Sequence, residues 1–581
     1  MKKFFRNGSI VLVGKYHEGA SYDVFANDLH ATFDGKGGIA NLTACNRPTG
    51  YVRRCFLNLF ADGKRLDPFC EKRVKLIGRT QKILLKTGDL KISVFQFVAS
   101  NESAVFYEIT ANRAGEYDAV LDLGQSQEGF VYAASAESRL VPQNASVYLH
   151  TNKTVRLVFA YEADGTYCEK LLARFAEYKA QAINEYERVR IPRAAKTEKD
   201  KALYVSSIFA ALENYKETGD FKGFTAGSSH LNPVRTYFRG AYWTSLSMYK
   251  EHADLVRNQI LTLSGGIEEN GNCPSAVSCR FHSFWRDHYD SPSYFVMTVY
   301  DYINRTGDFS VLNETVNGRT VYQYCLLTVD KLSEYEDKTG LIVKAGKYNK
   351  RDWADEVNRS GYVTYVELLY ARALWCLSRI AGTRDRVRAG RYRDLYERTR
   401  DAINSILWDE KKGYYVNYID GDFVEDNLSA DTILAVLFGI ADEKKTERLL
   451  DNVSALLETR NNRRQKGGDF GVMCVYPFYR GIERFYNKSS QEYEYHNGAA
   501  WPYLSALVAY AQQMRGRDCT YALTSSFDWN VKRGNYTPIE YYSPICPDGA
   551  PLSAWGSVAA LVYDWQNGDF FKENETVWKK K

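Results

Sequence analysis

Near Tyr167 the hydrophobic pattern of this chain changes period. Upstream, as in "KILLKTGDLKISVFQFVASNESAVFYEITANRAGEYDAVLDLG" (82–124), short β-branched and aromatic runs are separated by Thr-Gly-Asp, Ser-Asn-Glu and Arg-Ala-Gly turn signals. That is the pattern of antiparallel strands in a sandwich. Downstream, "CEKLLARFAEYKAQAINEYERV" (168–189) puts Leu171, Leu172, Phe175, Tyr178, Ile183 and Tyr186 on one helical stripe. Two periods imply two architectures, and 581 residues exceed what a single ordinary core holds. The expectation is an antiparallel β-sandwich domain over 1–165, a linker helix over 166–198 ended by "RIPRAAK", and an all-α domain over 199–575.

The helical part reads as segments 200–216, 240–264, 291–305, 317–335, 361–380, 390–407, 429–438, 443–458, 498–514, 518–527 and 553–566, separated by loops of alternating length. Helices in that number suggest six hairpins closed into an (α/α)6 toroid, whose loops gather at one end as a funnel. A helical-repeat solenoid is the alternative. It would carry a fixed sequence period, and none is visible.

Composition removes several classes of function. A net charge of +5 is small for this length and leaves no footprint for nucleic acid. The basic run "TRDRVRAGRYRDLYERTR" (383–400) interleaves acids with Arg and reads as a solvated helix face. Eleven Cys without a CxxC pair argue against a disulfide framework or zinc site and for a reducing compartment. The apolar run at the N-terminus is broken by Arg6, Asn7 and Gly8, too short for a signal peptide. No stretch approaches the roughly 18 apolar residues of a membrane span. The expectation is a cytoplasmic, soluble protein, with a homo-oligomer left open. No phosphate-binding loop or nucleophile elbow occurs, and "GKGGIAN" (35–41) lies among strands as a turn. The segment "RFHSFWRDHYDS" (280–291) matches no standard ligand spacing, and hydrogen bonding in a polar pocket or helix capping suits it better than a metal. No cofactor and no metal are expected.

Carboxylates and aromatics in loops remain. Aromatic residues reach 14% of the chain, with 44 Tyr and 10 Trp. Five loops join charged to aromatic groups: "NPVRTYFRGAYW" with Arg239, Tyr242 and Trp243; "FWRDHYDSPSY" with Trp285, Arg286 and Asp287; "YNKRDWADEVN" with Asp352, Trp353, Asp355 and Glu356; "QEYEYHNGAAWPY" with Glu492, Glu494, His496, Asn497 and Trp501; and "IEYYSPICPDGAPLSAW" with Glu540 and Trp555. Taken singly, each reads as well as a helix cap or a surface residue. Together they match what glycosidic bond cleavage asks for, since that reaction uses one protonated carboxylic acid, a second carboxylate, and flat faces against which sugar rings stack.

At these residues the chain resembles the six-hairpin glycosidases, the superfamily of glucoamylases, debranching amylo-glucosidases, trehalases, neutral invertases and α-rhamnosidases. "DWADEVNRSGYVTYVELLYARAL" (352–374), "ILWDEKKGYY" (406–415), "YHNGAAWPY" (495–503) and "IEYYSPICPDGAPLSAWGSVAAL" (539–561) carry the resemblance. It implies Asp355 as general acid and Glu540 as general base, with Glu492 and Glu494 in reserve. Asp352 and Glu356 would raise the pKa of Asp355 through like charge, and burial against Trp353 would add to that. The substrate contacts expected are Arg239, Tyr242, Trp243, Trp285, Asp287, Asp352, Trp353, Glu356, His496 and Trp501. Where many members read Arg-Asp this chain reads Arg239-Gly240, and the acid position holds Asp where glucoamylases hold Glu. The expected activity is an exo-acting inverting glycoside hydrolase on a terminal sugar, glucosidase-like. Alternatives are a disaccharide phosphorylase, a polysaccharide lyase or sugar epimerase on the same ring, and a non-catalytic carbohydrate-binding protein.

Overall fold

The computed structural model describes residues 2–14, 21–46, 51–66, 71–123, 129–141, 145–161, 163–345, 351–480 and 488–579. The front of the acidic stretch, 346–350, lies outside them.

Two antiparallel sheets occupy the N-terminal part. In spatial order the first contains Lys2–Arg6, Ser9–Gly14, Glu71–Ile77, Thr80–Thr87, Leu90–Val98, Val105–Ala111, Thr154–Tyr161 and Phe130–Ala134. The second contains Glu137–Val141, Ser146–Thr151, Tyr117–Asp122, Tyr51–Ala61, Ile39–Ala44, Leu29–Asp34 and Ser21–Ala26. Alternation sets which residues turn inward. Ile92 and Val94 of one sheet and Leu121, Val147 and Leu149 of the other enter one buried cluster.

The expected single linker helix is two helices, α1 (Gly165–Ala173) and α2 (Phe175–Glu187), broken at Arg174. Their stripe covers the outer face of the first sheet, where Leu171, Phe175 and Tyr178 pack on Phe97, Phe106 and Val158.

From there the chain is mainly helical: α3 (Glu198–Asn214), α4 (Phe238–Ser245), α5 (Ala253–Gly265), α6 (Ser291–Thr306), α7 (Val321–Ser333), α8 (Thr364–Gly382), α9 (Arg386–Ala402), α10 (Leu434–Leu437), α11 (Glu443–Asn452), α12 (Pro502–Met514), α13 (Thr520–Lys532), α14 (Leu561–Asp564) and α15 (Glu575–Trp578). Local chemistry starts and stops them. Thr197 with Asp200 and Thr320 with Gln323 form capping boxes at α3 and α7. Pro292 opens α6, and Gly307, at φ 73°, closes it. The segment expected as one helix over 240–264 is split into α4 and α5. Thr244, Ser245 and Ser247 turn their hydroxyls back onto the carbonyls of Gly240, Ala241 and Thr244, in competition with the helical ladder.

The basic run falls on α9, where only Tyr392, Thr399 and Ala402 are buried. Its arginines pair outward, Arg388 with Asp385 and Arg391 with Asp330. Helix α3 packs on the short helical segment 554–560, so the beginning and end of the helical part meet. No helix among the described residues is long and apolar enough to cross a membrane.

Candidate active site

A cavity of about 280 Å³ opens among the loops that lead into α4, α6, α8, α12 and segment 554–560. Its walls bring Tyr237, Arg239, Trp285, His288, Trp353, Asp355, Glu356, Tyr495, Trp501, Glu540 and Trp555 together. The cluster therefore joins residues more than 300 positions apart in sequence, carried by these loops and by the first turns of α4 and 554–560.

Asp355 is reached by solvent through the pocket, with 46% of its side chain accessible, yet protein encloses it on the other sides. That enclosure pushes its carboxyl up to about 7; Glu356, Asp352 and Glu540 add to the effect and Arg239 opposes it. Glu540 is also raised by burial, opposed by Lys488 and by the Tyr495 hydroxyl, which donates to Glu540 Oε1 at 3.3 Å. Two carboxyl groups thus share one pocket and influence each other's charge.

Behind Asp355 lies a buried ionic cluster. Arg359 and Lys344 each donate to Asp352 at 2.6 Å, and Arg359 also donates to Asp431 at 3.1 Å. The Trp353 indole N–H donates to the same Asp431 carboxylate at 2.5 Å. Burial opposes ionisation of Asp352, but Arg359 and Lys344 hold its carboxyl well below the usual range. The Ala354 N–H completes the clamp by donating to Asp352 Oδ1 at 2.8 Å, so the Asp-Trp-Ala-Asp turn is fixed at its first residue. Trp353 then stands edge-on to His496 and Trp501, with centroids 4.9 and 5.6 Å apart. His496 stacks on Trp501 at 14° and accepts the Glu356 N–H at Nδ1. Burial holds this imidazole neutral, its pKa well below the ordinary value.

A second buried pair holds Arg239. Its guanidinium donates to Asp290 at 2.6 Å; Asp290 also accepts from Tyr365 and faces His288 Nδ1 at 2.9 Å. Asp290 comes from a loop 51 residues away, and no pattern around Gly240 announces it.

Several expected substrate contacts are placed elsewhere. Tyr242 and Trp243 are fully buried, donating to Asp301 and to the Tyr294 hydroxyl. They follow Tyr237 on α4 by enough residues to turn into the interior, which corrects their assignment to the ligand. Asp352 is likewise corrected, since a fully buried and doubly ion-paired carboxylate has no free face for a sugar. Asp287 and the buried His496 do not line the cavity, which corrects their assignment as well; Asp287 lies 4.0 Å from Arg351. Glu492 and Glu494 do not line the pocket, and Glu494 is held by Ser490 and Gln491. Sequence reasoning missed Tyr237, His230, Tyr495 and Asp431, whereas Asp290 lies in the 280–291 segment expected to hydrogen-bond in a polar pocket and does so with Arg239, His288 and Tyr365. Tyr237 and Tyr495 sat inside the quoted loops, whereas Asp431 gave no local signal and the partner of Asp290, Arg239, is remote in sequence.

Comparison with known proteins bears on this geometry. The model described as "Glycosyl hydrolase 94 superfamily, catalytic domain" matches residues 280–517, less than half of the chain. The solved structure of a bacterial glucoamylase complexed with acarbose aligns over 98% of this chain and 99% of its own, with TM-score 0.58 and 13% identity. The likeness to this structure is one of fold, and the family match is confined to 280–517. A second structure, a putative kojibiose phosphorylase from the human microbiome, aligns over 97% of this chain and 89% of its own, with TM-score 0.54 and 8% identity. Among curated proteins, an N,N'-diacetylchitobiose phosphorylase of Vibrio furnissii is 28% identical over 181 residues, 28% of this chain and 22% of the relative. The Vibrio proteolyticus enzyme of the same name is 24% identical over 183 residues. The matched region spans about a fifth of these curated relatives.

Proposed function

We propose that this protein cleaves a glycosidic bond in the pocket that holds Asp355 and Glu540, with Asp355 as the proton donor. The observation that carries this is the Asp355 carboxyl, held at about 7 by enclosure in an aromatic-walled cavity. A general acid works best with a pKa near the operating pH, so a carboxyl moved to that value suits protonation of a leaving sugar oxygen. The helices are read as six hairpins closed into an (α/α)6 toroid. The contact between α3 and 554–560 supports closure, as does the approach to the site of loops ahead of α4, α6, α8, α12 and 554–560, with Asp431 contributing from just ahead of α10.

The group that accepts the sugar divides two readings. The named curated relatives are phosphorylases, which favours inorganic phosphate over the expected water. In that reaction Asp355 gives its proton to the glycosidic oxygen while a phosphate oxygen attacks the anomeric carbon. The C–O bond to the leaving sugar breaks, and a sugar 1-phosphate of inverted configuration is released. Arg239 in the pocket wall and Lys488, whose charge reaches Glu540, supply positive charge for the phosphate. One observation favours water: Glu540 stands in the pocket with Asp355, where a carboxylate can deprotonate an attacking water. Trp353, Trp501 and Trp555 are read as sugar-facing walls, Arg239 and His288 as hydroxyl contacts.

Incubation with maltose, kojibiose, cellobiose and N,N'-diacetylchitobiose, with and without phosphate, tests both. Phosphorus NMR is expected to detect a sugar 1-phosphate only when phosphate is present. Free sugars released without phosphate establish hydrolysis, and no cleavage under either condition sinks the proposal. Glu540→Gln separates the readings again. Hydrolysis should drop by about 10²-fold or more, the usual worth of a general base, while phosphorolysis should keep most of its rate.

A further inference from the structure

A cluster of strained backbone lies at the mouth of the pocket. Phe281, Trp285 and Asp287 sit at φ 57°, 48° and 58°, three side-chain-bearing residues in the left-handed region within seven positions. Such conformations cost free energy for bulky residues and persist where the surroundings enforce them. Here the Ser275 N–H is shared between the carbonyls of Phe284 and Trp285, both at 3.0 Å, which pins the turn. The outcome is an indole with 57% of its surface exposed, the most exposed tryptophan or tyrosine of the pocket wall.

That indole is braced from behind. Tyr237 stacks on it at 25° with centroids 6.0 Å apart, and the Arg235 guanidinium lies 5.6 Å from its centroid and 4.9 Å from that of Phe284. On its other side Tyr237 meets His230 edge-on at 5.1 Å. Tyr237 is also close enough to Asp355 to feel its charge. Tyr237 thus links the two, within reach of the Asp355 charge and stacked on the exposed Trp285, all three in the pocket wall.

We propose that Tyr237 and Trp285 form the platform for the leaving half of the substrate, a pyranose or aromatic ring bound through its flat face. The inference rests on Asp355 being the proton donor. The donor must face the oxygen that departs with the leaving group, so the aromatic surface next to it on the open side takes that group's ring. The strain positions the indole before substrate arrives, which lowers the ordering cost of binding.

Paired donors test this. For whichever disaccharide of the panel is cleaved fastest, its rate is compared with that of the glycosyl fluoride of the same donor sugar, which carries no leaving ring. Trp285→Ala should lower kcat/KM for the disaccharide about tenfold, chiefly through KM, because a well-formed aromatic contact is worth about one power of ten. The fluoride should change by less than about twofold, because no ring reaches the platform. Trp285→Phe, which keeps a flat face, should recover most of the loss. Equal losses on both donors, or an unchanged disaccharide rate, overturn the platform while leaving the cleavage reading in place. A wild-type protein inert towards every donor overturns both.

Discussion

Asp355→Asn should abolish turnover and leave the fold intact. The amide keeps the size of the side chain but cannot release a proton to the leaving oxygen. Loss of general acid catalysis costs about 10²–10⁴-fold in kcat for substrates with poor leaving groups, and far less for a fluoride, which leaves with little help. A variant retaining full disaccharide activity would refute the assignment. The pH dependence follows from the same residue. Its active form is protonated, so kcat/KM should decline as pH rises through about 7. Stability moves in step: the folded-state pKa of about 7 lies above the ordinary 3.8, so the folded state holds a proton that the unfolded chain has already released. Stability associated with this group is therefore fully present below about 3.8 and lost as pH climbs to about 7. Asn removes the titration, so Tm of the variant should exceed that of the wild type at pH 8 and approach it at pH 4. A wild-type profile flat between pH 5 and 8 would contradict the raised value.

The second large effect concerns Arg359, which is fully buried and joins Asp352 to Asp431. Arg359→Met fills much of the space but strands Asp431 in the interior, while Lys344 still pairs with Asp352. Breaking a buried pair by removing one partner costs about 3–5 kcal/mol, because the remaining charge has lost both water and its counterion. Urea denaturation should report that loss with an unchanged m-value. Adding Asp431→Asn should restore part of it, since the stranded charge is then gone. A loss below about 1 kcal/mol would mean that the cluster is not the clamp it looks like. Activity should fall as well in any Arg359→Met protein that remains folded, because Asp431 also holds the Trp353 indole in the pocket wall.

Much of the architecture was legible because periodicity is a local property. The alternation of 82–124 and the stripe of 168–189 each need only a dozen neighbouring residues to be read, and the structure carries strands and helices there. Misreadings fell in the helical segments: 240–264 divides where hydroxyls at 244–247 compete with the ladder, 166–198 divides at Arg174, and 429–438 and 553–566 are each a 3-10 turn followed by a four-residue helix. The site was legible only in outline. The loops around 237–243, 285, 353–356, 495–501 and 540 do converge on one cavity. Which aromatic of a loop faces that cavity depended on where α4 began, and a shift of a few residues sent Tyr242 and Trp243 into the core while leaving Tyr237 at the wall.

By itself the sequence determined the two architectures, the order of the helices, and the supply of carboxylates and aromatic rings in the loops between them, because propensity, capping and hydrophobic period act over one or two turns. The tertiary structure alone decided the individual roles. Asp352 and Asp355 are three positions apart in one turn, yet one is neutralised by Arg359 and Lys344 while the other is left to a pocket where enclosure raises its pKa. Asp290 meets Arg239 across 51 residues, and Asp431 meets Trp353 across 78. Burial and long-range charge set those outcomes, and both depend on which distant loops the helices bring together.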